Sequence, residues 1–282
     1  MLLLDSQLIH LSVSEQVPGD LSRIFWCPTG PLAFLPIHAA GLYDRQYSQP
    51  GHKVFDFVVS SYVPTLSILS SSSKPDVAPT SDHLRLLFVR QPPSDGLTPL
   101  PGVSVELKRI KEVIRESPSC TILESCVGTV EEALSLMKET HWVHFACHGI
   151  QDTALMTNSG LCLANGRRLT LRDIIALSRP RSGLAFLSAC QTATGDECLS
   201  DEAVHITAGM LYAGYEGVIG TMWSISDRLA PDVARDVYAQ LLGNGRRPDY
   251  REAARALHEA TGRLRDRGVS LDEWVPFIHV GL

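Results

Sequence analysis

Trp142-Val-His-Phe-Ala-Cys-His148-Gly149 and Leu184-Ala-Phe-Leu-Ser-Ala-Cys190 are the two stretches whose reading decides the fold. Each is an apolar run of strand length that ends in a reactive side chain, His148 in one and Cys190 in the other. In an open α/β sheet, ligands bind outside the carboxyl ends of the strands, so residues at strand ends share one rim of the molecule. If the two strands are neighbours, His148 and Cys190 face one another across that rim. A thiolate is a nucleophile, an imidazole beside it lowers the thiol pKa or takes its proton, and nearby backbone N–H groups stabilise a developing oxyanion. Gly149 permits the close approach that such an amide needs.

Outward from these stretches, strand-length runs alternate with helical patterns, the order of β-α-β units around a largely parallel sheet. The expected strands are Leu84 to Val89, Thr121 to Leu123, Trp142 to Ala146, Leu184 to Ser188, Val218 to Met222 and Val275 to Ile278. Thr129 followed by Glu132 reads as a capping box ahead of a helix carrying Ala133, Leu134, Leu136 and Met137. Val103, Leu107, Ile110, Val113 and Ile114 form a helix-period stripe, and helices are expected at Ala203 to Tyr212, Pro231 to Leu242 and Arg251 to Leu264. Between the two decisive strands, alternating apolar residues on either side of Asn165-Gly166 predict a β-hairpin with a type I′ turn. Ser70 to Ser73 with Lys74, Pro75, Asp76 and Pro79 reads as a solvated linker, which divides an N-terminal part, residues 1–80, from a core at 81–282. In the first part, Ile24 to Trp26 and Val54 to Tyr62 read as strands of a second subdomain or of an edge extension of the sheet.

The chain has 282 residues, 44% hydrophobic and 20% charged, with 17 Pro and 21 Gly, so disorder, collagen and coiled coil are excluded. A net charge of −6 gives no footprint for a nucleic acid backbone or an anionic membrane. No run approaches a membrane span, and Met1 to Leu4 is too short for a signal-peptide core, so a cytoplasmic setting is expected. The seven cysteines lack CxxC or His spacing for zinc and read as reduced thiols; no metal and no cofactor is expected, since there is also no GxxxxGK[ST] phosphate loop. Cys120, Cys126, Cys147 and Cys162 read as small apolar packers, and Cys198 lies in a polar loop where a redox role is conceivable. His144 alternates with Val143 and Phe145 and reads as a hydrogen-bonded core residue; His38, amid apolar neighbours, reads as structural.

The blocks His144-Phe-Ala-Cys-His148-Gly149, Ser159-Gly-Leu-Cys-Leu, Leu184-Ala-Phe-Leu-Ser-Ala-Cys190-Gln-Thr-Ala, Gly195-Asp196, Asp201-Glu202 and Gly217-Val-Ile-Gly-Thr-Met-Trp223-Ser-Ile-Ser-Asp227 together resemble the CHAT domain. That family of caspase-like and separase-like peptidases is often found behind tetratricopeptide repeats. Pro28-Thr-Gly-Pro-Leu-Ala-Phe-Leu-Pro36, Ser61-Tyr-Val-Pro-Thr-Leu and Trp274-Val-Pro-Phe-Ile-His279 look like the same family, so the resemblance covers nearly the whole chain. It implies a caspase-like α/β fold and a cysteine endopeptidase in which Cys190 attacks the peptide carbonyl and His148 is the acid/base group. It also implies an oxyanion hole from the amides of Gly149 and Cys190, with no third carboxylate.

The same resemblance puts Ser188, two before the nucleophile, in the P1 pocket, together with Trp223, Ser224 and Asp227; Ser224 stands where separases carry an acid, so a strict Arg preference is not implied. Asp196, Glu197, Asp201 and Glu202 either serve a helix starting near Ala203 or attract basic substrates. A protein or peptide substrate is the expected partner. The sequence has no internal repeat, so a tetratricopeptide-repeat regulatory module is expected on another subunit or elsewhere in a longer chain. Two other classes of function stay open: a catalytically silent interaction module of the same fold, and a thiol redox sensor pairing Cys190 with Cys198.

Overall fold

The computed structural model describes residues 21–70, 83–92, 97–125, 128–150, 152, 155–177, 183–190, 200–243 and 247–282, with the description confined to the backbone at residues 70, 156, 189, 190 and 200–205. The first elements are β1 (Ser22–Trp26), β2 (Val58–Tyr62), α1 (Ser67–Ser70), β3 (Leu84–Arg90), α2 (Gly102–Arg115), β4 (Cys120–Glu124), α3 (Val130–Glu139) and β5 (Trp142–Ile150). They are followed by β6 (Gly160–Cys162), β7 (Arg168–Thr170), α4 (Leu171–Ala176), β8 (Leu184–Cys190), α5 (Ser200–Tyr212), β9 (Gly217–Thr221), α6 (Ala230–Leu242), α7 (Ala253–Asp266), α8 (Leu271–Trp274) and β10 (Phe277–Gly281).

Among the described residues these strands make one sheet in the order β1-β2-β10-β9-β8-β5-β3-β4, with β6 and β7 as a hairpin hung on β5. Every pairing along the main path is parallel except β10 with β9. A parallel sheet must be covered on both faces, and alternate residues of each strand divide between two cores accordingly. Leu86, Phe88 and Phe186 join the cluster built by Ile110 of α2, Val237 of α6 and Leu257 of α7. Leu87, Phe145 and Leu187 join that of Met137 of α3, Ile174 of α4 and Met210 of α5. The mostly parallel α/β sheet flanked by helices that the sequence predicts is the one observed, with β1 and β2 as its edge extension.

Within β4-β3-β5-β8-β9 the chain first steps from β3 outward to β4, then crosses back to β5 and continues the other way. The point where this order reverses lies between β3 and β5, and in open α/β sheets ligands bind outside the carboxyl ends of the strands at such a point. The N-terminal strands β1 and β2 extend the far edge of the same sheet. Arg23 of β1 fastens that edge by donating to the Ser61 hydroxyl (2.8 Å), to His279 Nδ1 (3.2 Å) and to the Gly281 carbonyl (3.1 Å).

The hairpin turns at Asn165 (φ 60°) and Gly166 (φ 66°), both left-handed as a type I′ turn demands, and the Arg167 amide closes it on the Ala164 carbonyl. Three local expectations need correction. Val54–Asp56 is a 3₁₀ turn and not the start of a strand, because the Asp56 carboxylate accepts from the amides of Gly51, His52 and Lys53 and curls the chain there. The last strand starts at Phe277 and not at Val275, whose amide still closes α8 on the Leu271 carbonyl. The capping box at α3 is half formed: Thr129 Oγ1 accepts from the Glu132 amide (3.2 Å), but Glu132 Oε2 takes the Gly128 amide (2.7 Å) and the Ser125 hydroxyl instead of the amide of Thr129.

Candidate active site

β5 and β8 are adjacent and parallel, and their register pairs His144 with Phe186, Ala146 with Ser188 and His148 with Cys190. Neighbouring strands run about 4.8 Å apart. The backbones of His148 and Cys190 are therefore side by side at the carboxyl rim, beside the point where the strand order reverses. For Cys190 the description is of the backbone alone.

His148 is 1% exposed. Its Nε2 lies 2.8 Å from the Thr98 carbonyl oxygen. A carbonyl only accepts, so Nε2 carries the hydrogen and the lone pair of the neutral ring resides on Nδ1. Thr98 precedes Pro99, which confines it to extended backbone and fixes the direction of that carbonyl. The His148 amide donates to Gln91 Oε1 (2.9 Å), and the Gln91 amide donates to the Ala146 carbonyl (3.1 Å), so the end of β3 clamps the end of β5. Beyond His148, β5 leaves β8 and pairs with the hairpin, Gly149 opposite Leu161. The hairpin needs glycine at its own end: a Cβ on Gly160 would overlap the Leu169 carbonyl.

A buried polar network lies behind these residues on the α2 and α6 side. His144 is fully buried and stacked between Phe88 (centroids 4.8 Å apart) and Phe186 (4.7 Å). Its Nδ1 is 3.2 Å from the Tyr238 hydroxyl. Its Nε2 is 3.1 Å from Glu106 Oε1, a close approach without the alignment of a hydrogen bond. The other carboxylate oxygen of Glu106 accepts from Ser188 Oγ (3.1 Å). Burial, followed by the Glu106 carboxylate, pushes the Tyr238 phenol well above its usual pKa, so it stays protonated.

Of the other candidate pocket residues, Ser188 is 4% exposed with its hydroxyl committed to Glu106. Trp223 and Ser224 are half-buried in the segment between β9 and α6, and the Trp223 indole donates to the Asp272 carbonyl (3.0 Å). Asp227, in the same segment, accepts the Gly102 amide at Oδ2 (2.6 Å), at the first residue of α2. Asp196 and Glu197 lie outside the described residues, as do Cys126 and Cys198; Asp201 and Glu202 fall in the first turn of α5. Cys120, Cys147 and Cys162 are buried and form no disulfide. Burial pushes the Cys120 thiol up to about 12 and also raises that of Cys162, which leaves neither as a thiolate. His38 donates from Nε2 to the Val275 carbonyl (2.9 Å) and accepts the Tyr62 hydroxyl at Nδ1 (2.8 Å), a structural bridge.

Thr98, Gln91, Glu106 and Tyr238 were not singled out by the sequence. For Glu106 a signal existed: it sits three residues after Val103 and four before Ile110, a carboxylate on the buried stripe of α2. Thr98 contributes a backbone carbonyl, which no residue type announces.

A family model described as CHAT domain matches residues 3–282. No curated relative matches the sequence. Among solved structures, the chain is similar to the Saccharomyces cerevisiae separase in its complex with securin, with a TM-score of 0.50 and 14% identity over 81% of this chain and 14% of that one. It is also similar to the Porphyromonas gingivalis RgpB pro- and mature domain complex, with a TM-score of 0.54 and 9% identity over 95% of this chain and 66% of that one. The chain thus spans 14% of the separase chain, and the likeness at these identities is one of fold.

Proposed function

Since the chain belongs to the CHAT domain family, we propose that it is a cysteine endopeptidase acting on protein substrates through Cys190 and His148. The observation that carries this reading is the pairing of His148 with Cys190 at one strand rim, with the imidazole turned by the Thr98 carbonyl so that Nδ1 is its basic atom. In the reaction, the Cys190 thiol gives its proton to Nδ1 and the sulfur forms a bond to the peptide carbonyl carbon. The carbonyl π electrons move to oxygen, which the amides of Gly149 and Cys190 stabilise. Collapse of this intermediate breaks the C–N bond as the imidazolium returns its proton to the leaving amine. Water then attacks the thioester, His148 takes its proton, and the carboxylic acid leaves with the thiol restored.

Residues 81–282 form the catalytic core in this reading and residues 1–80 its N-terminal part. Ser188, Trp223 and Ser224 belong to the substrate pocket, and Asp196 to its acidic approach. Ser188 offers no charge of its own to a P1 side chain. A protein partner regulates cleavage, a tetratricopeptide-repeat module being the expected kind. Among the described residues no helix is long and apolar enough to cross a membrane, and Cys27, Cys120, Cys147 and Cys162 form no disulfide, which suits a cytoplasmic setting.

Cys190→Ala and His148→Ala are expected to abolish cleavage of a protein and peptide panel in chains that still fold by circular dichroism. A thiol-directed peptide electrophile should label Cys190, and His148→Ala should suppress that labelling. Undiminished cleavage by Cys190→Ala would overturn the reading; labelling confined to other cysteines would favour a silent interaction module.

A further inference from the structure

We propose that Asp227 is a positioning residue for His148, acting through the first turn of α2 and the loop that carries the Thr98 carbonyl. This rests on the peptidase reading above and adds to it the device that holds the base. It also replaces a pocket-wall role for Asp227.

Helix α2 lacks a cap of its own. Its N-cap residue is Pro101, which offers no side-chain hydrogen bond, although the first amides of a helix need an acceptor. Asp227 supplies one from 125 residues away, its Oδ2 accepting the Gly102 amide at 2.6 Å. The carboxylate also meets the positive end of the helix dipole. The contact is close enough to dictate the residue type on the other side: a Cβ on Gly102 would overlap both the carbonyl oxygen and the carboxylate of Asp227.

From Gly102 the chain runs back through Pro101, Leu100 and Pro99 to Thr98. Two prolines in this span fix φ at alternate residues, so the segment is a stiff strut with few ways to absorb a shift. One end is pinned by Asp227, and the other presents its carbonyl to His148 Nε2 at 2.8 Å. Backbone bonds on both sides of the Asp227–Gly102 contact keep that end rigid. Ser226, next to Asp227, closes the start of α6 by accepting the Leu229 and Ala230 amides, and Leu100 accepts the Val103 amide at the start of α2. A shift of the Asp227 turn is therefore passed on to the tautomer and aim of His148.

The test compares wild type, Asp227→Ala, Asp227→Asn and Gly102→Ala, each checked by circular dichroism. Peptide cleavage is measured across substrates of different P1, and the His148 Nε2–H signal by NMR of protein labelled with ¹⁵N-histidine, assigned with His148→Ala. Asp227→Ala should lower kcat about tenfold to 100-fold with little change in KM, to the same degree for every P1 residue, the scale expected when a base is misplaced by about 1 Å. Gly102→Ala, whose extra methyl pushes the same contact apart, should reproduce that loss, and Asp227→Asn, which keeps an oxygen acceptor, should recover most of the activity. The Nε2–H signal should weaken or vanish in Asp227→Ala and Gly102→Ala and persist in Asp227→Asn. A loss confined to basic P1 substrates in Asp227→Ala, absent from Gly102→Ala, would overturn the proposal in favour of a pocket wall. If wild type cleaves nothing, the peptidase reading fails by itself, and the NMR arm still decides: an unchanged Nε2–H signal in both Asp227→Ala and Gly102→Ala overturns the positioning role, and its loss upholds it. Should Asp227→Ala fail to fold, Gly102→Ala and Asp227→Asn carry the same comparison.

Discussion

On the α3, α4 and α5 side of β5, Val143, Phe145 and Cys147 enter an apolar cluster with Leu87, Val89, Leu187 and Met210. On the α2 and α6 side the alternate residues are His144, Ala146 and His148, and they meet Glu106, Tyr238, Ser188 and the Thr98 carbonyl. One strand thus presents a face that only packs and a face that both packs and carries chemistry. An interior made of hydrocarbon alone needs no particular hydrogen-bond geometry, whereas a buried polar group must be met in one arrangement. The polar face therefore fixes where side chains point, and the apolar face supplies the burial that makes such fixing affordable.

The largest effect expected from breaking this contrast is on the apolar side. Phe145→Ala removes a fully buried ring and should cost about 3–5 kcal/mol of unfolding free energy. Any cleavage activity that survives should have an unchanged P1 profile and pH dependence. Chemical denaturation followed by peptide kinetics on the folded fraction checks both. A cost under about 1 kcal/mol would mean that the neighbours collapse into the space and that the two faces are not held independently.

Acid probes a third set of polar groups, half-buried or buried, at the N-terminal edge of the sheet. Burial, outweighing the hydrogen bond from His38 to Val275, lowers the His38 pKa to about 4; burial followed by the guanidiniums of Arg265 and Arg255 brings His258 to about 4, and burial with Arg23 holds His279 well below its ordinary value. Unfolded, these rings take protons near pH 6.5, so between pH 6.5 and 4 the unfolded chain binds more protons than the folded one. Stability is then full above pH 6.5 and falls as pH drops through this window, by on the order of 3 kcal/mol for His38 alone. Urea midpoints at pH 7.5, 5.5 and 4.5 should fall in that order, with a shallower fall in His38→Gln. Midpoints that stay level would show that these rings are not held neutral.

On the polar face, Glu106→Leu takes the acceptor from the buried Ser188 hydroxyl and should cost about 1–3 kcal/mol. Unlike Phe145→Ala it should also lower kcat, because Ser188 is two residues before Cys190 on β8 and paired with Ala146, two before His148. Glu106→Gln, which keeps an acceptor for Ser188, should restore most of both. Full activity in Glu106→Leu would make the network structural only.

The contrast also explains how much was legible in the sequence. Period-2 and period-3.6 apolar patterns are local, so the central strands and the long helices were readable, as were the left-handed Asn165-Gly166 turn and the strand-end residues His148 and Cys190. What escaped were partners chosen by the fold over long separations. Thr98 meets His148 across 50 residues and Asp227 meets Gly102 across 125. Likewise, Val54–Asp56 resembles the start of a strand until Asp56 gathers the amides of Gly51, His52 and Lys53. Residue type states what a side chain is able to donate or accept; only the packed chain selects the partner.

The smallest effect separates stability from chemistry most cleanly. Thr170 caps α4 on the apolar side, accepting the Asp173 amide (3.2 Å) while Asp173 accepts the Thr170 amide (3.0 Å). Thr170→Ala should cost about 1 kcal/mol, as cap losses generally do. Asp227 supplies a cap of the same kind to α2, and Asp227→Ala should cost a similar amount of stability. If caps mattered only through stability, the two variants would be kinetically alike once folded. They should differ, with kcat unchanged in Thr170→Ala and lowered in Asp227→Ala, because only α2 continues backwards through a proline strut to the carbonyl that holds His148. Equal kcat values in two equally stable variants would mean that the polar face transmits nothing to the site.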